Sequence, residues 1–205
     1  MSIADVAMVV ADTTRTYHYL DQLIKYNLLP GYILLLLNSD SELLPGQKED
    51  SAENKLVQLL DKIKIHYDIA PNSDINSPEV VSLISIRVEQ VFIFSGFGGA
   101  LLRNDVLNTG KKFLHVHGGY LPNYKGSTTN YYSLIEENTI GASSIFLTKE
   151  IDCGPVLIRR KFPAPKDRTK LDHIYDSEAR SKVLIETLNN YVKSGSWDFE
   201  LENNL

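Results

Sequence analysis

The chain has 205 residues, 43% apolar and 23% charged, which suits one substantial core in a soluble globular protein. Its formal net charge of −5 gives no electrostatic case for nucleic acid, because phosphate recognition draws on clustered Lys and Arg. A single cysteine, Cys153, excludes an internal disulfide and fits a reducing, cytoplasmic compartment.

The first residues lack a basic stretch before a long apolar core, so no signal peptide is expected. The most apolar run, "YILLLLN" from Tyr32, is far too short to span a bilayer, so no membrane partner is expected. One domain over 1–205 is the expectation.

In chain order, "IADVAMVVA" (Ile3 to Ala11) predicts a central parallel strand, being short, apolar and Val-rich. "DTTRTYHYLDQLIKYNLLPG" predicts a helix with an Asp or Thr cap; Tyr19, Leu20, Leu23 and Ile24 face a core. "YILLLLN" is the second strand. "SDSELLPGQKEDSAEN" reads as a surface loop, with a short helix around Lys55 to Leu60.

"SPEVVSLISIRVEQ" starts a helix with Ser-Pro-Glu, and "VFIFSGFGG" is a strand entering a glycine-rich turn. "ALLRNDVLNTGKK" predicts a short helix stopped by Gly110. "FLHVH" is the next strand, and "STTNYYSLIEEN" a helix capped by Ser127 or Thr128. Two strands follow, separated by a turn at Asp152-Cys153-Gly154. The basic "IRRK" from Ile158 reads as a strand end on a solvated face. From Leu171 to about Ser194 a helix turns Ile174, Tyr175, Val183, Leu184, Leu188 and Tyr191 to a core. Strand–helix alternation over the first two thirds argues for an α/β, mostly parallel sheet, with room for antiparallel pairing at the end.

Two strand ends carry chemistry: "SGFGG" (Ser95 to Gly99) and "HVHGG" (His115 to Gly119). The first lacks the full dinucleotide fingerprint and reads as a tight turn where backbone passes close to something. On a strand, His115 and His117 share a face. As metal ligands they need a third donor, which Asp152 supplies. As a catalytic pair, one titrates while the other donates a hydrogen bond. As plain structure, they close the strand end. The pattern leaves all three open.

The stretch "HVHGGYLPNYKGSTTNYYSLIEENTIGASSIFLTKEIDCGPVL" resembles the core of the folate-dependent formyltransferases. That family carries Asn-x-His at a strand end, a Leu-Pro-x-Tyr-Arg-Gly loop and, about 35 residues after the histidine, an Asp-x-Gly turn. Here "LPNYKG" matches the loop with Lys125 for Arg, and "IDCG" matches the turn. "VFIFSGFGGALL" is similar to the family's folate-side strand and loop. The resemblance spans Val91 to Leu157 well and earlier elements in outline. It departs at His115, where the family has asparagine, and at Gly118-Gly119, where it has Pro-Ser.

The resemblance implies a Rossmann-like, doubly wound α/β sheet, mostly parallel, with antiparallel C-terminal strands. It implies an enzyme of one-carbon metabolism, with 10-formyltetrahydrofolate as formyl donor and no metal. His117 and Asp152 become catalytic, with Asp152 holding the imidazole charged; His115 takes the asparagine's place as oxyanion donor. The folate is expected in an apolar cleft between "SGFGG" and "EIDCG". Phe94, Ser95, Gly96, Phe97, Gly98, Gly99, Leu101, Glu150 and Ile151 would contact it there, with Asp152 alongside. Lys125 is a solvated loop charge or a ligand, Tyr131 and Tyr132 are helix packing, and Cys153 is a bystander.

For the acceptor, the acidic balance and the chain's end after one helix point away from tRNA. The first strand enters "VVADTTRT" instead of the glycine-rich phosphate loop of glycinamide ribonucleotide formyltransferases, although its hydroxyls, Arg15 and helix start could bind a phosphate. A primary amine of a small molecule remains, a nucleotide-linked amino sugar first. Glycinamide ribonucleotide formyl transfer, formyltetrahydrofolate hydrolysis and non-catalytic folate or nucleotide-sugar binding are the alternatives. A homodimer stays open.

Overall fold

The computed structural model describes residues 3–37 and 52–198. The polar stretch expected as a surface loop between the second strand and the next helix lies mostly outside the described residues. Among the described residues, seven strands form one mixed sheet in the order β3-β2-β1-β4-β5-β6-β7. Two compact units divide the chain. One comprises Ser2–Tyr17 and Pro30–Phe113; the other comprises His18–Leu29 and the chain from Leu114 onward.

In the first unit, β1 (Ile3–Ala11) lies parallel between β2 (Pro30–Leu36) and β4 (Val91–Ser95). Val6 to Ala11 have no solvent exposure, which is why the run is apolar without alternation: both faces of a parallel strand are covered. A short parallel edge strand, β3 (Tyr67–Ile69), pairs with β2. The sequence reading missed it, since three residues with an exposed Ile69 carry no periodic signal. Helix α2 (Ala52–Ile63) is longer than expected and buries Leu56 and Leu60. Helix α3 (Pro78–Ser85) starts as expected: the Ser77 hydroxyl accepts from the Val80 amide at 3.3 Å, and Pro78 sits in the first turn. Helix α4 (Asn104–Leu107) is a single turn that ends before Gly110; Asn108 caps it, and Gly110 turns the chain two residues later at φ +78°.

Helix α1 (Thr14–Lys25) follows β1, and its Thr13 hydroxyl accepts from the Thr16 amide. Tyr19, Leu20 and Leu23 are fully buried, but Ile24 is 41% exposed, at the margin of the apolar stripe.

In the second unit, β5 (Lys112–His117), β6 (Thr139–Phe146) and β7 (Val156–Pro163) pair antiparallel through β6, His117 opposite Ser143. Helix α5 (Thr129–Glu136) packs on β6. Thr128 stands at its cap position in the left-handed region, φ +57°, and makes no side-chain cap bond, so the expected hydroxyl cap does not form. A 3-10 turn at Arg168–Lys170 and one π-helical turn at Leu171–Tyr175 lead into α6 (Asp176–Ser194). Val183, Leu184 and Leu188 of α6 are buried, each contributing about 1.5–3 kcal/mol of transfer energy. Ile174 and Tyr175 are half-buried, and Tyr191 stacks on Trp197 at 4.0 Å between ring centres. "IRRK" lies within β7, not at its end; Arg160 pairs with Glu186 and Lys161 with Glu137. Among the described residues no helix is long and apolar enough to cross a membrane.

Candidate active site

Strand β5 delivers His117 to its carboxyl end, where the ring is 5% exposed. Both ring nitrogens face acceptors. Nε2 donates to the Tyr124 main-chain carbonyl at 2.8 Å, and Nδ1 lies 3.3 Å from Asp152 Oδ1. The other carboxylate oxygen of Asp152 accepts from the Gly126 amide at 2.8 Å. The histidine, the loop at Tyr124–Gly126 and the β6–β7 turn are thus joined through two side chains.

The turn that carries Asp152 is tightly specified. Asp152 adopts φ +52°, a left-handed conformation that costs a non-glycine residue roughly 1–2 kcal/mol and that Asp tolerates better than most. Two residues on, any Cβ at Gly154 would penetrate the Phe146 carbonyl oxygen, so only glycine closes the turn. The Asp-x-Gly spacing therefore has a steric cause. Both residues serve to aim one carboxylate at the imidazole.

The electrostatics depart from the sequence reading, in which Asp152 holds the ring charged. Burial pushes the His117 pKa below its usual 6.5, and this outweighs the opposing pull of Asp152 and of the Tyr124 carbonyl. Nearby Arg180 lowers it further, and Asp176 raises it. Yet a neutral imidazole has one N–H for two facing acceptors. Only the imidazolium satisfies both contacts, while desolvation resists its charge. The ring is held in a balance that a nearby developing negative charge would tip toward protonation.

His115 lies two residues back on β5, half-buried and opposite Ile145. Among the described residues no three His, Cys, Asp or Glu side chains converge as a metal-binding set, so the grouping of His115, His117 and Asp152 as ligands does not form. Lys125 Nζ lies 3.2 Å from Cys153 Sγ, a second link between the loop and the turn. The Leu121–Pro122 bond is cis. Tyr131 and Tyr132 are not core packing: they are 43% and 56% exposed, and the Tyr131 hydroxyl donates to Asp172 at 2.6 Å. A helix that packs one face on β6 leaves them on the other.

The residues assigned to the folate fall into two groups, one per unit. In the first unit Phe94, Ser95 and Gly96 are buried, Phe97 is half-buried, and Gly98, Gly99 and Leu101 are exposed. Arg15 and the Thr16 hydroxyl, weighed from the sequence as parts of a phosphate site, turn to this strand end. Arg15 donates through Nε to Ser95 Oγ at 3.3 Å and through Nη2 to the Gly96 carbonyl. Thr16 Oγ1 bonds Ser95 Oγ at 2.9 Å and the Ser95 carbonyl at 3.3 Å. The helix start weighed as a phosphate site thus directs its guanidinium to the protein's own main chain. In the second unit Glu150 and Ile151 are exposed beside Asp152. Leu101 and Ile151 are exposed apolar side chains, one in each unit.

The sequence profile of the formyl transferase family matches residues 5–188. Methionyl-tRNA formyltransferase of Lactiplantibacillus plantarum is 29% identical over 135 residues; the match covers 62% of this chain and 41% of that protein. The chain therefore spans about two fifths of the length of the curated relatives it matches. Among solved structures, a formyltetrahydrofolate deformylase from Pseudomonas syringae superposes with a TM-score of 0.67 at 14% identity, over 92% of this chain and 61% of that one. A sugar N-formyltransferase from a Shewanella species does so at 0.59 and 15% identity, over 93% and 70%. At these identities the likeness concerns the fold.

Proposed function

This chain belongs to the formyl transferase family, and from that premise we propose that it transfers a formyl group from 10-formyltetrahydrofolate to a primary amine of a small molecule, with a nucleotide-linked amino sugar as first choice. The observation that carries the reading is the buried His117–Asp152 pair, closed at 3.3 Å and anchored by the Gly126 amide. The bound folate supplies an activated one-carbon unit at the oxidation level of formate. Leu101 and the Gly98–Gly99 backbone are the contacts assigned here to its ring. The strand-end carbonyls of Ser95 and Gly96 already accept from Thr16 and Arg15, which leaves them a positioning part.

Protonated His117, held by the Tyr124 carbonyl, stabilises the negative charge that builds on the formyl oxygen as the amine attacks the formyl carbon. The charge compensates the desolvation that otherwise keeps the ring neutral. Asp152 Oδ1 accepts the proton released by the attacking amine, directly or through water, and returns it to the departing nitrogen. His115, on the same strand face by the period-two rule, donates a hydrogen bond to the same oxygen.

The sugar acceptor is supported by the fold shared with a sugar N-formyltransferase and by a first turn that has no glycine and commits Arg15 to main chain. The fold shared with a deformylase favours water as an alternative acceptor. An assay with a radiolabelled formyl group separates the readings. Label on an amino-sugar nucleotide is the expected outcome; label released as formate assigns hydrolysis, and label left on the folate removes catalysis.

A further inference from the structure

The two glycines after His117 replace the Pro-Ser of the related family, and the structure gives the replacement a cause. A Cβ built on Gly118 would overlap Arg180 Nη2 and Asp176 Oδ1. One built on Gly119 would stand 2.7 Å from His117 Nε2 and 2.8 Å from the Tyr124 carbonyl oxygen. Both distances are closer than real Cβ atoms approach. Side chains from the start of α6 occupy the space a residue at 118 would otherwise fill.

Those side chains form a closed network. Arg180 Nε donates to Asp176 Oδ2 at 2.6 Å, and Arg180 Nη1 donates to the Val116 carbonyl at 2.8 Å, one residue before His117. Asn130 Nδ2 donates to Asp176 Oδ1 at 2.8 Å, while its Oδ1 accepts from the Gly141 amide at 2.7 Å. Thr129 donates to the Gly118 carbonyl, and Ser143 to the Gly119 carbonyl at 2.7 Å. Arg180 and Asp176 are only 17% and 21% exposed at their side chains, so the pair is more strongly coupled than a surface bridge.

We propose that Arg180 and Asp176 are positioning residues for His117: their ion pair, tied through Asn130 to β6, fixes the end of β5 and takes the room that Gly118 leaves. The inference rests on the formyl-transfer reading for its kinetic consequence, but the geometry stands apart from it. A charged group at each end of the pair also faces the imidazole electrostatically. The groups that act on the ring are Asp152 and the Tyr124 carbonyl from the turn and loop, and Arg180 and Asp176 from α6.

The test uses the full chain with Arg180→Ala, Asp176→Asn, Gly118→Ala and the Gly118→Ala/Arg180→Ala double variant. Three readouts are followed: kcat and KM for formyl transfer, the His117 titration by NMR, and thermal melting. Arg180→Ala lowers kcat roughly 10–100-fold with KM little changed, as expected when a reacting group is misplaced. It raises the His117 midpoint, because a facing cation is gone; Asp176→Asn lowers it. Gly118→Ala impairs kcat in the parent and adds less in the Arg180→Ala background, where Asp176 Oδ1 alone still crowds the methyl group. Should Arg180→Ala fail to fold, the near-isosteric Asp176→Asn carries the same kinetic and titration tests. Unchanged kcat and titration with a lower melting temperature make the pair structural only and overturn the proposal, as do losses that multiply in the double variant. If the parent transfers no formyl group to any amine, the functional reading fails, while the opposite titration shifts still decide the positioning role.

Discussion

His115 is where this chain replaces an asparagine of the related family, and the two side chains share a donor but differ in titration. His115→Asn is therefore expected to keep much of the transfer activity, and His115→Ala to lose roughly 10²–10³-fold in kcat, the cost of one oxyanion donor. An alanine variant as fast as the parent removes His115 from the chemistry. Asp152→Asn removes the nearest anion from His117 and so lowers its pKa further. Since the protonated ring is the active form and is lost as pH rises, the alkaline limb of the pH–rate profile moves to lower pH while kcat falls; an unmoved limb refutes the coupling.

Burial gives His117 a second, opposite consequence for stability. Its folded pKa lies below the usual 6.5, so the folded state favours the neutral ring. The contribution to stability is present above that value and is lost as pH falls through the folded pKa, because the unfolded chain binds the proton first. Replacing His117 with asparagine should flatten the acid limb of a urea-midpoint profile. A limb of unchanged slope assigns the acid sensitivity to other groups.

At the scale of elements, the β6–β7 turn concentrates the constraints. Gly154 has no room for a methyl group against the Phe146 carbonyl, and backbone cannot yield as a flexible side chain would. Gly154→Ala is expected to cost about 1–3 kcal/mol in urea unfolding. It should also displace Asp152, so kcat falls by more than stability alone explains at temperatures where the variant is folded. The same turn shows how two elements are locked by a side chain: the Gly126 amide binds Asp152, and Tyr124 offers its carbonyl to His117 while its hydroxyl donates to Glu136 of α5 at 2.9 Å. A loop without regular structure is thereby held to one strand, one turn and one helix.

For the molecule as a whole, the proposed donor binds the folded state alone and must stabilise it. At a hundredfold excess over Kd, a stable folate analogue adds about 2.7 kcal/mol, which for a chain of this size raises the melting temperature by roughly 5–10 °C. Calorimetry with the same analogue should report heat. The absence of both heat and a thermal shift at millimolar ligand removes the donor assignment. His117→Asn is expected to retain the shift, since the contacts assigned to the ring are apolar side chains and backbone.

Much of the fold was legible because its signals are local. The unbroken apolar run at Val6–Ala11 requires a strand covered on both faces, and Ser77-Pro78-Glu79 holds a helix start within three residues. His117, Asp152 and Gly154 were legible through their resemblance to the family's motifs, and the structure brings the first two together at 3.3 Å. Four features were decided only by tertiary packing. β3 has too few residues for a period. The exposed Tyr131 and Tyr132 depended on which face of α5 meets β6. The direction of the His117 shift depended on how much water burial removes, a sum over surroundings that Asp152 alone did not fix. Arg180 and Asp176 stand about sixty residues beyond His117 on another helix, and no local pattern ties them to the two glycines. Sequence specified the groups that carry charge and the turns that aim them; the packed interior determined which charges the histidine feels, because desolvation and Coulomb forces act through space and not along the chain.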